Sequence, residues 1–308
     1  MYFWYKFLTY LFYPLSPIYL FFRKLKKKED PLRYVEKLSI IKKNREEGFL
    51  IWFHVASVGE SLSILPLVEK LSQEEKVKKI LITTITLSSA EVLQKKLFEN
   101  NKIVHQYLPL DVPNYINKFL NHWSPNLCIL VDSEIWPNLI YYTKKKNIPL
   151  ILINGRITKK SFSRWKIFKN FSRKIFGKFD LCIVANNETE KYLKILGAKN
   201  IKNYGNLKFS NTKTKLKNNL DINLAKKLEG KKIWCAASTH QNEEVFCAKA
   251  HLEIKKTFKS ALMIIIPRHI NRVENIKKEL NKLNLKVELY SNLNQSDLNI
   301  DILLVDAY

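Results

Sequence analysis

The 308-residue chain carries 53 Lys and Arg against 28 Asp and Glu, a formal charge of +25. That length suits one large domain or two medium ones, and 46% hydrophobic residues supply ample core. Its four cysteines, Cys128, Cys182, Cys235 and Cys247, form no CxxC pair and read as reduced, buried, small hydrophobes. Neither a disulfide framework nor a structural zinc site is supported by that pattern. The charge suits an anionic partner: nucleic acid, phospholipid head groups or a phosphorylated substrate. An excess made almost wholly of Lys, with only eight Arg and seven Gly, also fits a compositionally biased genome.

Residues 1–22 are expected to form a membrane anchor. Tyr2 to Phe22 read YFWYKFLTYLFYPLSPIYLFF, interrupted by one charge, Lys6. A helix of that length covers roughly 30 Å, the thickness of a hydrocarbon core. Pro14 and Pro17 would kink it, which leaves a re-entrant or interfacial helix open beside a spanning one; the alternative is a buried core helix. Arg23, Lys24, Lys26, Lys27 and Lys28 follow and open a basic segment, 23–47, that would keep the chain on the cytoplasmic side and attract anionic lipid.

From residue 48 short apolar runs alternate with amphipathic ones. Strands are predicted at Phe49–Val55, Lys79–Ile85, Ile103–Leu108, Asn126–Asp132, Pro149–Asn154 and Asp180–Ala185. Helical patterns lie between them at Leu62–Leu71, Ala90–Phe98, Asn114–Asn121 and Phe162–Phe176. Such alternation predicts a parallel, doubly wound α/β domain over 48–209. A Lys- and Asn-rich stretch, 210–223, reads as a linker. In 224–308 the alternation resumes with strands Lys232–Ala236, Ala261–Ile266, Lys286–Tyr290 and Asp301–Val305 and helices Glu243–Thr257 and Arg272–Leu283. This second domain is small for its class and reads as incomplete.

Strand ends carry the candidate chemistry. After the first strand, Ser57-Val58-Gly59-Glu60 opens a helix; Gly59 would allow a tight turn there. Glu60 at the helix N-terminus suits an ionised general base. Ser57-x-x-Glu60 equally matches a capping box, and the two roles are compatible. Asp132-Ser133-Glu134-Ile135-Trp136-Pro137-Asn138 follows the fourth strand. Its Asp-x-Glu pair also fits a metal, but no third acid or histidine lies at a telling spacing, so neither metal nor cofactor is expected. Asn154-Gly155-Arg156 ends the fifth strand, and Arg156 is placed to hold a phosphate or carboxylate. Lys208, in Gly205-Asn206-Leu207-Lys208, stands where its charge would steady a leaving phosphate. In the second domain Ser238-Thr239-His240 and Pro267-Arg268-His269 follow successive strands and suit a nucleotide phosphate site. No P-loop, G-x-G-x-x-G, serine-hydrolase elbow or nucleic-acid motif is present, and no nucleic-acid partner is expected.

Taken in order, WFHVASVGE, LPLDVP, DSEIWPN, INGRITKKSF, GNLKF, AASTHQNEE and IIPRH resemble the Kdo (3-deoxy-D-manno-octulosonic acid) transferases of lipopolysaccharide assembly. The resemblance implies a GT-B-type fold of two Rossmann-like domains with the active site in the cleft between them, plus the N-terminal membrane-anchor helix. It implies a glycosyltransferase that moves Kdo from CMP-Kdo to the bis-phosphorylated lipid A precursor, lipid IVA, with inversion and without a metal. It also implies work at the cytoplasmic face of the inner membrane, in contact with phospholipid. By the same resemblance Glu60 is the base, Asp132 and Lys208 stabilise the transition state, and Arg268 and His269 contact CMP with Ser238 and Thr239 nearby. Position 132 is Asp where the family usually has Glu. Members of the family continue beyond the position of Tyr308, through a Gly-rich loop and a His-Asn-x-x-Glu-Pro motif. The alternatives are a related GT-B transferase that uses another activated sugar and a non-catalytic, membrane-bound remnant that binds acidic lipid.

Overall fold

A computed structural model describes residues 1–97, 100–207, 228–292 and 299–307. The chain forms two compact units, Met1–Thr214 and Lys215–Tyr308. The expected linker, 210–223, lies outside the described residues.

Seven parallel strands build the first unit: β1 (Phe49–His54), β2 (Val77–Thr84), β3 (Ile103–Tyr107), β4 (Leu127–Val131), β5 (Leu150–Gly155), β6 (Leu181–Val184) and β7 (Ile201–Asn203), in the order β3-β2-β1-β4-β5-β6-β7. Adjacent strand residues are apolar on both faces, as a parallel sheet covered on two sides requires. Ile51, Phe53, Ile80, Ile82 and Val131 pack with Ile64 of helix α3 (Val58–Ser72) and Leu93 of α4 (Leu87–Leu97). Leu50, Trp52, Leu130, Leu152 and Val184 pack on the other side with α5 (Pro113–Trp123), α6 (Pro137–Lys145), α8 (Lys169–Phe176) and α9 (Asn187–Leu196). Right-handed crossovers explain the division. The chain runs outward from β1 to β3, then returns beside β1 and runs the other way, so its helices change face at β4.

The pattern Phe162–Phe176 folds as two helices, α7 (Lys159–Ile167) and α8, because Phe168 leaves helical geometry at φ −107°, ψ 53°. The three-residue edge strand β7 and helix α9 carry too short or too weak an apolar pattern to be read in advance.

The expected anchor is broken. Instead of one long helix there are α1 (Tyr2–Leu11) and α2 (Ser16–Leu25), ten residues each, separated by a turn that contains Pro14. Each reaches about 15 Å, half a hydrocarbon core. Among the described residues no helix is long and apolar enough to cross a membrane. Nor is α1 a core helix, since none of its residues is buried. It lies on the first unit through its polar groups. Tyr5 donates to Asp111 Oδ2 at 2.7 Å, Tyr2 donates to Asn138 Oδ1 at 3.2 Å, and Asn138 Nδ2 donates to Thr9 Oγ1 at 2.9 Å. Tyr2 also stacks on Tyr141, ring centroids 4.5 Å apart. Arg23, expected among the lipid-facing cations, is engaged instead with buried Glu29 at 2.6 Å, and Lys37 holds the other oxygen of that carboxylate at 2.5 Å.

Asp111 is the centre of the clasp. Besides Tyr5 it accepts the backbone N–H groups of Asn138 and Leu139 at 3.0 and 2.8 Å, satisfying donors in the first turn of α6. Burial raises its carboxyl from 3.8 to about 6, against the pull of those bonds. A raised acid keeps its proton longer in the folded state, so its contribution is fully present below pH 3.8 and lost as pH rises through about 6. Asp111→Asn should therefore remove a component of stability that falls as pH rises between those values, read as the difference between the two chains in chemical denaturation.

The second unit holds four parallel strands, β8 (Ile233–Thr239), β9 (Leu262–Pro267), β10 (Val287–Leu289) and β11 (Ile302–Leu304), in the order β10-β11-β9-β8. Helices α10 (Glu243–Thr257) and α11 (Val273–Asn281) both cover the face of Met263, Ile265, Ile302 and Leu304. These helices supply one layer of the expected doubly wound sheet; on the opposite face Leu262 and Leu303 are buried, with Leu228, Ile264 and Ile300 packed against them. Steps from β8 to β9 to β10 run in one direction, and right-handed crossovers then put both helices on one side. On the other face Ile233 is 42% exposed, and Cys235, expected to be buried, is exposed as well.

Candidate active site

The strand order of the first unit reverses between β1 and β4, and parallel α/β sheets bind ligands beyond the carboxyl ends of strands at such a point. The motif residues gather there. Ser57 is extended, φ −112°, ψ 161°, and caps α3. Its hydroxyl takes the Glu60 N–H at 3.3 Å and donates to Glu60 Oε1 at 2.9 Å. Glu60 Oε2 accepts the Ala56 N–H at 2.8 Å. A reciprocal cap of the expected kind is therefore formed, with Glu60 reaching back to the N–H one residue before the Ser57 cap, and it fixes the Glu60 carboxylate at the positive end of the helix with 9% of the residue exposed. Gly59 sits inside the first turn of α3 and makes no tight turn; the extended Ser57 redirects the chain, and that expectation is corrected.

Across the switch point β4 ends on Asp132 in the left-handed region, φ 60°, and the neighbouring β5 ends through Asn154 at φ 52°. Asn and Asp tolerate this conformation best among residues with a side chain, and it still stores about 1 kcal/mol or more at each. The Arg156 N–H donates to the Asp132 carbonyl at 3.2 Å, joining the two strand ends, while the Arg156 residue is exposed. Asn154 Oδ1 accepts the Leu207 N–H at 3.0 Å. Lys208 lies outside the described residues.

Three residues that sequence reasoning left without a role complete this edge. His54, fully buried at the end of β1, places Nε2 3.2 Å from Glu134 Oε2, and the Trp136 indole donates to the same oxygen at 2.7 Å. Burial would raise the Glu134 carboxyl, but the bond and charge of His54 and the bond from Trp136 outweigh it and hold the group below the usual carboxylate range. The available signal was position: all three lie at strand ends within the motifs, yet 80 residues separate His54 from Glu134.

In the second unit Ser238 and Thr239 end β8, and Arg268 and His269 follow β9. Ser238 is left-handed, φ 59°, at a register shift between Ala237 and Thr239. Ser238, Arg268 and His269 are exposed, and the Arg268 N–H donates to the Thr239 carbonyl at 3.0 Å. Thr239 is buried, and its hydroxyl donates to Glu244 at 2.9 Å, so it braces the segment rather than facing outward. Glu244, fully buried, receives both terminal nitrogens of Arg272 at 3.1 Å. Among the described residues no group of three or more His, Cys, Asp or Glu is placed to hold a metal ion.

Residues 32–211, which contain this edge of the first unit, match the family model of the 3-deoxy-D-manno-octulosonic-acid transferases (kdotransferase). The chain belongs to that family. Over 305 residues it is 35% identical to a 3-deoxy-D-manno-octulosonic acid transferase of Rickettsia bellii, covering 99% of this chain and 72% of the relative. A Rickettsia felis relative of the same description is 35% identical over 260 residues, 84% of this chain and 55% of that protein. A probable mitochondrial Kdo transferase of Arabidopsis thaliana is 32% identical over 93% of this chain and 65% of its own length. The chain thus spans between just over half and about three quarters of these relatives. Among solved structures, UDP-GlcNAc 2-epimerase from Neisseria meningitidis matches with a TM-score of 0.56 at 15% identity, over 84% of this chain and 72% of that one. A glycosyltransferase from Rickettsia africae matches with a TM-score of 0.53 at 13% identity, over 85% and 69%. Those identities speak for the fold alone, an α/β, GT-B-like glycosyltransferase fold with parallel sheets.

Proposed function

We propose that this Kdo transferase family member transfers Kdo from CMP-Kdo to the phosphorylated lipid A precursor, lipid IVA, with inversion and without a metal, in lipopolysaccharide core assembly. The observation that carries the reading is the Glu60 carboxylate, held by two donors at the N-terminus of α3 on the switch edge of the sheet. Placed there, it takes the proton of an acceptor hydroxyl as the glycosidic bond forms. Asp132 and Lys208 steady charge that develops in the transition state, and Arg156 meets an acceptor phosphate. Ser238, Arg268 and His269 would take the nucleotide at the ends of β8 and β9.

The same reading places the chain on the cytoplasmic face of the inner membrane as an interfacial protein. Phe3, Trp4 and Leu8 of α1 are 69%, 62% and 62% exposed, and Phe22 and Leu25 of α2 are 57% and 61% exposed. So extensive an apolar surface beside Lys26, Lys27 and Lys28 suits the head-group region of an anionic leaflet.

One assay tests both parts. The chain is mixed with anionic vesicles that contain the bis-phosphorylated glycolipid and offered CMP-Kdo or a UDP-sugar. Glycolipid modified by CMP-Kdo alone is expected; equal use of the UDP-sugar would favour a related transferase, and no product with full vesicle binding would favour a lipid-binding remnant. Phe3→Ser with Trp4→Ser should reduce co-sedimentation with the vesicles at least several-fold.

A further inference from the structure

His54 and Glu134 meet across the switch point, and their neighbours place the protons between them. The Thr83 hydroxyl accepts from the Trp52 indole at 2.9 Å and donates to the Phe53 carbonyl at 3.3 Å. His54 Nδ1 lies 3.0 Å from that hydroxyl oxygen and 3.1 Å from the Thr83 carbonyl. Nε2 faces Glu134 Oε2 at 3.2 Å, an oxygen that already accepts from Trp136. Two bare acceptors would repel at that distance, so a proton lies between them and the ring donates to the carboxylate.

We infer that His54 and Glu134 form a hydrogen-bonded pair that locks Oε2 and presents Oε1 to a sugar hydroxyl, which makes Glu134 a second substrate-binding acid and His54 its positioning residue. This inference rests on the transferase reading. Among the described residues Oε1 has no hydrogen-bond partner, while the Glu134 side chain keeps 12% of its surface open. The contrast with Glu60 is direct, since both of its oxygens already hold a donor from the chain. A carboxylate whose second oxygen is pinned by an indole and an imidazole has little freedom to turn, so its free oxygen is aimed before substrate arrives.

The full 308-residue chain, labelled with ¹⁵N-histidine, tests the pair directly, because only six histidines need assigning and His54→Gln identifies the signal. Nε2 of His54 should carry a hydrogen, and Glu134→Gln should shift its resonance. An Nε2 without hydrogen, or a resonance that Glu134→Gln leaves unmoved, overturns the pair. Calorimetric binding of the bis-phosphorylated glycolipid in micelles tests its use. Loss of a hydrogen bond to a charged group should weaken binding about tenfold or more in Glu134→Gln. Glu134→Asp, which keeps the charge and withdraws Oε1 by one methylene, should also bind more weakly and serves if the Gln variant fails to fold. Unchanged affinity in a folded variant overturns the substrate contact. If the unsubstituted chain binds no glycolipid, the transferase reading and the contact fall together, and the ring nitrogens alone decide the pair.

Discussion

Glu60→Gln is expected to lower Kdo transfer by about 10²- to 10⁴-fold, the range a positioned general base supplies. Gln preserves the shape of the capping box, taking the Ala56 N–H on its oxygen and leaving the Ser57 cap on the Glu60 backbone N–H in place. Thermal unfolding should therefore move little. Glu60→Ala removes the reciprocal bonds as well and should cost about 1 kcal/mol of stability in addition. The pair of variants separates chemistry from architecture: activity should fall in both, stability in the Ala variant alone. Substantial turnover by a folded Gln variant would remove Glu60 from the mechanism and leave it as a helix cap.

The largest effect on stability is expected at Glu244. Its carboxylate is fully buried, holds Arg272 through both oxygens and takes the Thr239 hydroxyl. Glu244→Ala leaves Thr239 and the 23% exposed Arg272 side chain without that partner, and losing hydrogen bonds to a charged group, with water partly replacing them, costs about 1.5–3 kcal/mol. Denaturant unfolding of Glu244→Ala should show that loss. The double replacement Glu244→Leu with Arg272→Met should regain most of it, because no charge is then left uncompensated. The same bonds tie the end of β8 to the segment that follows β9, so on the proposed reading, in which Arg268 and His269 take the nucleotide, Glu244→Ala should also weaken nucleotide binding. Equal stability of the single and double variants would contradict a strongly coupled pair.

Much of the fold could be read in advance because the central strands are buried on both faces. LIWF in β1, LCIL in β4 and LILI in β5 are unbroken apolar runs, and their ends fall within a residue or two of the observed ones. What escaped was decided by neighbours distant in the chain. β7 is three residues at an edge, two of them exposed, and carries no pattern of its own. The N-terminal run has the length of a membrane span, but the chain turns at 12–15 and its tyrosines find polar partners more than a hundred residues away. At the site, the cap Ser57-x-x-Glu60 was legible because it is local. The His54–Glu134 contact was not, because only the return of β4 beside β1 creates it. Arg272 opens a predicted helix and carries no local sign of its partner; only the fold sets it against Glu244.

The clasp around Asp111 has a geometric consequence for a lipid-borne substrate. Asp111 and Asn138 hold α1 and begin α6, and the Glu134 turn runs directly into that same helix. On the interfacial reading, the apolar underside of α1 and the carboxylates of the switch edge belong to one rigid block, with no tether between foot and hand. The altitude of the reactive groups above the bilayer is then a constant of the protein. A glycolipid whose acyl chains set its own head group at that altitude meets them by gliding in the plane, whereas the same sugar freed from its lipid must search a volume.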